Sequence, residues 1–478
     1  MLGRSMLATA AALAAANSGR ALSAAEDAPA AGPNDKLLAA CIGVNGRGRD
    51  HYSELSNRKD VEIAVICDAD EVVGQKACDA LAKKTGRRPE FVHDMRNVFD
   101  NKAINFITTA TPNHWHALTA IWAMQAGKDV YLEKPVSHNV SEGRRIVEVA
   151  RKENKICQTG TQSRSNKGMQ AAMDYIHSGK LGEVKLARGL CYKARGSIGA
   201  RGTYDISKTI NYDLWSGPAP ILPLTRQKLH YDWHWQWAYG NGDLGNQGIH
   251  QMDLCRWALQ VTQLSNSVLS YGGRFGYTDA GETPNTQLVI HDFGGGKTLV
   301  FEVRGLETGE YKKSKVGIIV EGSEGYLVMS SYSDGTVFDK GGNAQKEFKG
   351  GGDHYDNFIK AVRNRKIDDL NADILQGHLS SALCHLGNIS YRLGRQVGTS
   401  ELQERLKSLS VSDNSAETLD RTISHLADNK VAISDQTRFQ VGDVLKFDPQ
   451  TETFPGNDAA NAQLTREYRA PFVVPSKV

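Results

Sequence analysis

From Lys36 onward, short apolar runs alternate with stretches of helical length, and this rhythm limits the possible folds more than any other feature of the chain. The apolar runs are 37–44, 61–67, 104–110, 130–132 and 156–159, with a short one at 90–93; between them lie 48–56, 71–84, 115–126 and 141–153. Strands this continuously apolar have no face for water, and strands that alternate with helices build βαβ units. The result is a parallel sheet covered on both sides. Residues 36–160 are therefore predicted to form a doubly wound, Rossmann-type nucleotide-binding domain.

The grammar then changes. A helix near 167–178 and a strand near 184–192 lead into an irregular stretch, 195–245, rich in Trp, Tyr and Gly, and then a short helix at 247–259. Strands at 267–277, 286–293, 298–303, 316–321 and 326–329 follow without helices between them, joined by turns such as Gly294-Gly295-Gly296. Consecutive strands of this kind predict an open, mainly antiparallel sheet. Helices near 355–365 and 373–393 close a second α/β domain over 161–395. Residues 396–445 read as a further helical segment and 446–478 as a Pro-punctuated extended tail, so 396–478 is an appendage. A length of 478 residues suits two domains plus such additions.

Residues 1–32 read as a leader. Arg4 precedes an apolar stretch from Met6 to Ala16, followed by small residues (Ala21-Leu22-Ser23-Ala24-Ala25) and then Glu26 and Asp27. A positive start, a short apolar core and a small-residue cleavage site are the layout of an export signal. Gly3-Arg4-Ser5 resembles the end of a twin-arginine signal without its arginine pair, so the expectation is export to the periplasm, with a cytoplasmic location as the alternative. The apolar stretch is far short of the roughly 20 residues of a spanning helix, and no transmembrane segment is expected. A net charge of +3, from 57 basic and 54 acidic residues, gives no footprint for nucleic acid. The seven cysteines are scattered, with no C-x-x-C pair, and read as buried free thiols; no metal site is expected.

The first strand ends in Gly43-Val44-Asn45-Gly46-Arg47-Gly48, where a dinucleotide fingerprint belongs. Its middle glycine position is Asn45, a residue that tolerates positive φ better than most. Asp68 ends the second strand twenty residues past Gly48, placed to accept hydrogen bonds from ribose hydroxyls and to repel a 2′-phosphate; NAD is favoured over NADP. Thr111-Pro112-Asn113-His114-Trp115-His116 closes the fourth strand and Glu133-Lys134-Pro135 the fifth, so both motifs point at one crevice beyond the carboxyl ends of the sheet. Downstream, Gly242-Asp243-Leu244-Gly245-Asn246-Gln247-Gly248-Ile249-His250-Gln251-Met252-Asp253 would place Asn246 and His250 four apart on one helix face, with Asp253 three further on.

At these residues the chain resembles the Gfo/Idh/MocA oxidoreductases, the family of glucose–fructose oxidoreductase and inositol dehydrogenase. The resemblance spans about 36–395, and the tail resembles that of long, often exported bacterial members. It implies an NAD-binding Rossmann domain, a second α/β domain carrying the substrate site, and a homo-oligomer (dimer or tetramer). It also implies a Lys–Asp–His catalytic set at Lys134, Asn246 and His250, where Asn246 departs from the family Asp. Asn cannot take a proton, so the base role falls to His250, with Lys134 polarising a hydroxyl. The expected cofactor contacts are Gly43, Asn45, Gly46, Arg47, Gly48, Asp68, Thr111, Pro112, Asn113, His116, Glu133 and Lys134. The expected substrate contacts are Gln162, Arg164, Tyr192, Arg195, Trp235, Trp237 and Asp253. The aromatic crowd of Trp215, Trp233, Trp235, Trp237 and Tyr239, with His230 and His234, suits either stacking on a sugar ring or an apolar cover.

Three functions fit. The first is NAD-dependent hydride transfer to or from a sugar, sugar derivative or cyclitol. The second is a redox-neutral glycosidase with tightly held NAD, which oxidises, eliminates, hydrates and reduces; export favours it, since outside the cytoplasm no NAD pool reoxidises the cofactor. The third is a non-catalytic binding protein on the same scaffold.

Overall fold

A computed structural model describes residues 36–432 and 438–478; the leader read at 1–32 lies outside them. Strands β1 (Leu37–Ile42), β2 (Val61–Cys67), β3 (Glu90–Val92), β4 (Phe106–Thr109), β5 (Asp129–Leu132) and β6 (Cys157–Thr159) run parallel in the order β3-β2-β1-β4-β5-β6. They are linked by α1 (Arg47–Leu55), α2 (Glu71–Thr85), α3 (Met95–Asp100), α4 (Asn113–Gln125) and α5 (Val140–Lys152). The strand order reverses between β1 and β4, which opens a crevice at their carboxyl ends. Local chemistry sets the helix limits. Asp70 accepts the Val72 amide to start α2, and Gly86, at φ 76°, ends it in the left-handed conformation that glycine adopts without strain.

The second half contains α6 (Lys167–His177), β7 (Val184–Tyr192), α7 (Tyr212–Ser216), α8 (Gly242–Asn246) and α9 (Gly248–Ala258). After them come β8 (Ser267–Gly273), β9 (Thr286–Asp292), β10 (Thr298–Arg304), β11 (Val316–Gly322), β12 (Gly325–Met329), β13 (Gly335–Phe338) and β14 (Ala344–Phe348). The chain ends through α10 (His354–Asn364), α11 (Ile374–Leu393), β15 (Arg395–Val397), α12 (Thr399–Lys407), α13 (Ser415–Asp428), β16 (Phe439–Val441), β17 (Leu445–Lys446) and α14 (Asp458–Asn461). The sheet runs β14-β13-β12-β11-β7-β10-β9-β8-β16-β15, with β17 beside β8. The β7–β10 pair is parallel and the other pairs are antiparallel, so the mainly antiparallel α/β domain predicted from the strand run is present.

α9 and α11 cover one face of this sheet through a continuous apolar core that includes Cys191, Ile249, Cys255, Leu383 and Cys384. On the other face Leu402 and Leu406 of α12, with Leu419 and Leu426 of α13, pack on Leu269, Leu288 and Val300. Residues 396–445 are thus not purely helical. The last two residues of β15, all of β16 and the first residue of β17 extend the sheet edge from within them. All seven cysteines are buried free thiols. Among the described residues no helix is long and apolar enough to cross a membrane.

The tail returns to the first sheet. Phe472 and Val474 are buried in the core beside Trp115, whose ring meets Phe472 edge-on at 5.3 Å. The Tyr468 hydroxyl donates to Glu142 at 3.1 Å, and Arg469 donates to the Gly217 carbonyl at 3.0 Å. Burial of an aromatic ring this complete predicts that Phe472→Ala destabilises the protein by about 3 kcal/mol or more, measured by urea unfolding. A change below about 0.5 kcal/mol would mean the tail is not part of the folded core.

Candidate active site

The crevice at the carboxyl ends of β1, β2, β4 and β5 is a cavity of about 380 Å³. Of the residues expected to meet the cofactor, Gly43, Asn45, Gly46, Arg47, Asp68, Thr111, Pro112, Asn113, His116, Glu133 and Lys134 line it. Gly48 does not line it but allows the turn to close, because a Cβ there would stand 1.9 Å from the Gly43 oxygen. Gly43 has φ +73°, and a Cβ on it would meet the Thr111 nitrogen at 2.7 Å. Glycine is the residue that permits such backbone approach.

Two of the helix starts at this crevice are built differently from the others in the domain. α2, α3 and α5 have their first amides capped by Asp70, Asp94 and Asn139. α1 and α4, which begin at the crevice, have no side-chain cap. Free N–H groups at a helix start form an anion site. Asn113, the first residue of α4, is buried with its Oδ1 unpartnered. Asp68 accepts the Val44 amide at 2.9 Å and the Asp70 amide at 3.0 Å; burial raises its pKa against these two bonds. The uncapped helix starts, the closed glycine turn and the acid at the end of β2 fit a dinucleotide.

Glu133 organises the chemistry. Its buried Oε1 accepts from Arg47 Nε at 2.9 Å and Gln162 Nε2 at 3.3 Å and lies 3.2 Å from His51 Nε2; its Oε2 accepts the Lys134 amide at 3.2 Å. Burial acts to raise its pKa, but Arg47, His51 and Lys134 outweigh it, so the carboxylate sits well below its ordinary range. His116 lies between two carbonyls, Pro135 at 2.6 Å and Thr111 at 2.8 Å, and so clamps the two strand-end motifs together.

Lys134 reaches into the second half of the chain, where Nζ donates to the Asn246 carbonyl at 2.8 Å. That carbonyl is free because the helix predicted over 247–259 is preceded by a break. α8 ends at Asn246, and the His250 amide bonds Gln247 instead, at 3.1 Å. Burial lowers the Lys134 pKa, which Glu133 and Asp243 resist. Asn246 lines the cavity and its amide donates to Asp243 at 3.3 Å. His250 is buried, its ring 4.9 Å from Tyr332, with Nδ1 unpartnered, and it does not line the cavity. Burial, then Lys134, holds its pKa well below the ordinary imidazole value.

The expected substrate contacts are largely engaged elsewhere. Arg164 and Asp253 form a buried two-pronged ion pair (2.7 and 2.8 Å), and Ser380 also donates to Asp253. Tyr192 lies on the opposite face of the second sheet, donating to Glu302 at 2.6 Å. Arg195 is held by Asp243 at 2.9 and 2.7 Å and sits over Trp235, which is buried. Trp237 lines a different cavity, and Gln162 serves Glu133. In their place Trp215, His230, Tyr231, Trp233 and His234 wall the crevice, and His93, Asp94 and Met95 add an edge after β3 that the sequence reading did not include. The β3 edge was findable, since β3 lies next to β2 and its carboxyl end must open on the same crevice.

Residues 37–161 match the oxidoreductase family described as an NAD-binding Rossmann fold, and residues 200–427 match that family's C-terminal α/β domain. The chain belongs to the Gfo/Idh/MocA oxidoreductases. Among curated members it is 29% identical over 160 residues to an inositol 2-dehydrogenase of Salmonella paratyphi B, covering 33% of this chain and 46% of that protein. It is 27% identical over 154 residues to a glycosyl hydrolase family 109 protein of Shewanella baltica, covering 31% and 34%. The chain thus spans less than half the length of these relatives. The crystal structure of the WlbA dehydrogenase from Bordetella pertussis, in complex with NADH and UDP-GlcNAcA, shares the fold at a TM-score of 0.55, 20% identity and coverage of 73% and 95%.

The closed glycine turn leads to a direct expectation. Gly48→Ala pushes a methyl against the Gly43 carbonyl and should raise the Kd for NAD by at least about tenfold, a cost of ~1.4 kcal/mol. Fluorescence titration with NAD checks it, and an unchanged Kd would detach this turn from cofactor binding.

Proposed function

We propose that the protein is an NAD-dependent oxidoreductase that transfers a hydride between nicotinamide and a secondary hydroxyl of a sugar, sugar derivative or cyclitol. The observation that carries this is Lys134. It is a half-buried ammonium on the cavity wall that spends one of its three donors on a neutral carbonyl and makes no ion pair among the described residues. Such a group has donors left for a substrate oxygen, and its charge stabilises alkoxide character as the C–H bond breaks. Bound NAD supplies the hydride acceptor, held by the glycine turn, Asp68 and the start of α4.

His250 is the proton acceptor in this reading. Burial and Lys134 keep it neutral, so one ring nitrogen retains its lone pair. Asn246 positions Lys134 through its carbonyl and ties its own side chain to Asp243. Export of the chain by its first 32 residues belongs to the same proposal.

Lys134→Ala should lower kcat/KM by about 10²–10³, the effect of removing one such donor, while NAD affinity stays within a few-fold. His250→Ala should cost about 10². The signs of the pKa shifts fix the pH profile. The base must be neutral and is depressed, so the acidic limb lies below pH 6.5; Lys134 must be charged and is depressed, so the alkaline limb lies below pH 10.5. Full turnover by Lys134→Ala would remove the lysine from the mechanism.

A second reading is supported by the match to the glycosyl hydrolase family 109 protein: redox-neutral glycoside cleavage, in which the hydride returns to the substrate within each turnover. Denaturing the purified protein and measuring released NAD(H) separates the two. About one equivalent per chain fits a closed redox cycle, whereas an empty protein that turns over only with added NAD fits a dehydrogenase.

A further inference from the structure

A second cavity, of about 660 Å³, lies outside the crevice. It forms where the C-terminal tail crosses the end of α11 and the loop before α8. Part of its wall is tail sequence beyond the 200–427 family match, and the loop that supplies Trp237, Ala238 and Asn241 to it supplies Trp233 and His234 to the catalytic crevice.

Its chemistry is unbalanced. The exposed Arg392 side chain makes no hydrogen bond or ion pair among the described residues, feels Glu282 only at a distance, and places its guanidinium 5.3 Å from the centre of the Trp237 ring. Arg466 has no carboxylate partner; it donates to the Ala238 carbonyl at 2.9 Å and lies 3.4 Å from His138 Nδ1. The third arginine, Arg469, is paired with Asp213. Glu467 is the one acid on the wall. Glu142 lies close behind, but its oxygens are taken by the His138 amide, Asn139 Nδ2 and the Tyr468 hydroxyl. Asn241, 5% exposed, carries an unpartnered Nδ2, and the Gln463 Oε1 and His138 Nε2 atoms are also unpartnered.

Buried polar atoms left unpaired are unfavourable, and Arg392 and Arg466, neither bonded to a carboxylate, repel one another. A ligand relieves both if it carries one carboxylate for the arginines, hydroxyls for the amides, and an apolar face for the indole. We propose that this cavity is a second carbohydrate site, distinct from the catalytic crevice, that binds an acidic sugar of the hexuronate class through Arg392, Arg466 and Trp237.

The test is calorimetric titration of the full-length, NAD-loaded protein with glucuronate, with glucose, acetate and inorganic phosphate as comparisons. Saturable binding of glucuronate, at least tenfold tighter than glucose or acetate, is expected. It should weaken at least tenfold in Arg392→Gln, whose side chain has no hydrogen bond to lose, and persist in Lys134→Met. Trp237→Phe should retain binding with a smaller loss. Loss in Lys134→Met with retention in Arg392→Gln would assign the sugar to the catalytic crevice and overturn the proposal. So would acetate or phosphate binding as tightly as glucuronate, which would reduce the site to a bare anion contact, or no glucuronate binding at all.

Discussion

The buried carboxylate of Glu133 is the contact on which the rest of the site depends. An ion sealed from water survives only if its neighbours replace the lost hydration. Here they are Arg47 from the glycine turn, His51 from α1, Gln162 beyond β6 and the Lys134 amide. Three separate loops are thereby fixed to one pair of oxygens. Gly160 shows how tight the arrangement is: a Cβ there would come within 2.7 Å of Glu133 Oε1. In the Glu133-Lys134-Pro135 motif the acid therefore holds the glycine turn and the Lys134 main chain together at the crevice, and its charge helps keep that lysine protonated despite burial.

The second constraint is the break between α8 and α9. A continuous helix would spend the Asn246 carbonyl on an i to i+4 bond, and Lys134 would have to share it. Because the His250 amide turns to Gln247, the carbonyl faces the lysine across the domain boundary. This gives a physical reason for the Asn at 246 to be tolerated. The contact to Lys134 is made by main chain, which any residue supplies, and the side chain needs only to satisfy Asp243. In the proposed reaction the proton is left to His250, a group that burial and a neighbouring ammonium keep neutral.

How much was legible in the sequence follows from the range of each interaction. The first sheet and its crevice were readable because strand ends, glycine turns and helix starts are local features and because doubly wound order places them together. The Arg164–Asp253 pair was not, since its partners are 89 residues apart and each alone looks like an exposed candidate. Tyr192 was readable in principle: alternation along β7 groups it with Leu186, Arg188 and Leu190, away from the face carrying Ala187 and Cys191. β13 and β14 escaped because Gly335–Phe338 is only four residues long and Ala344–Phe348 is a mostly exposed, largely polar strand at the sheet edge.

The tail shows how an extension with few regular elements can still be structural. Phe472 enters the core of the first sheet, Tyr468 joins the group that caps α5, and Arg469 holds Asp213 and the Gly217 carbonyl beside α7. These contacts fix the aromatic loop from behind while Asp70, through Thr209 and His230, fixes it from the cofactor side. A loop held on both flanks presents Trp233 and His234 to one cavity and Trp237 to the other in a set orientation. Pre-ordering of this kind lowers the entropy cost of gripping a ring-shaped ligand. An aromatic-rich stretch with little regular secondary structure can therefore line two cavities without collapsing into either.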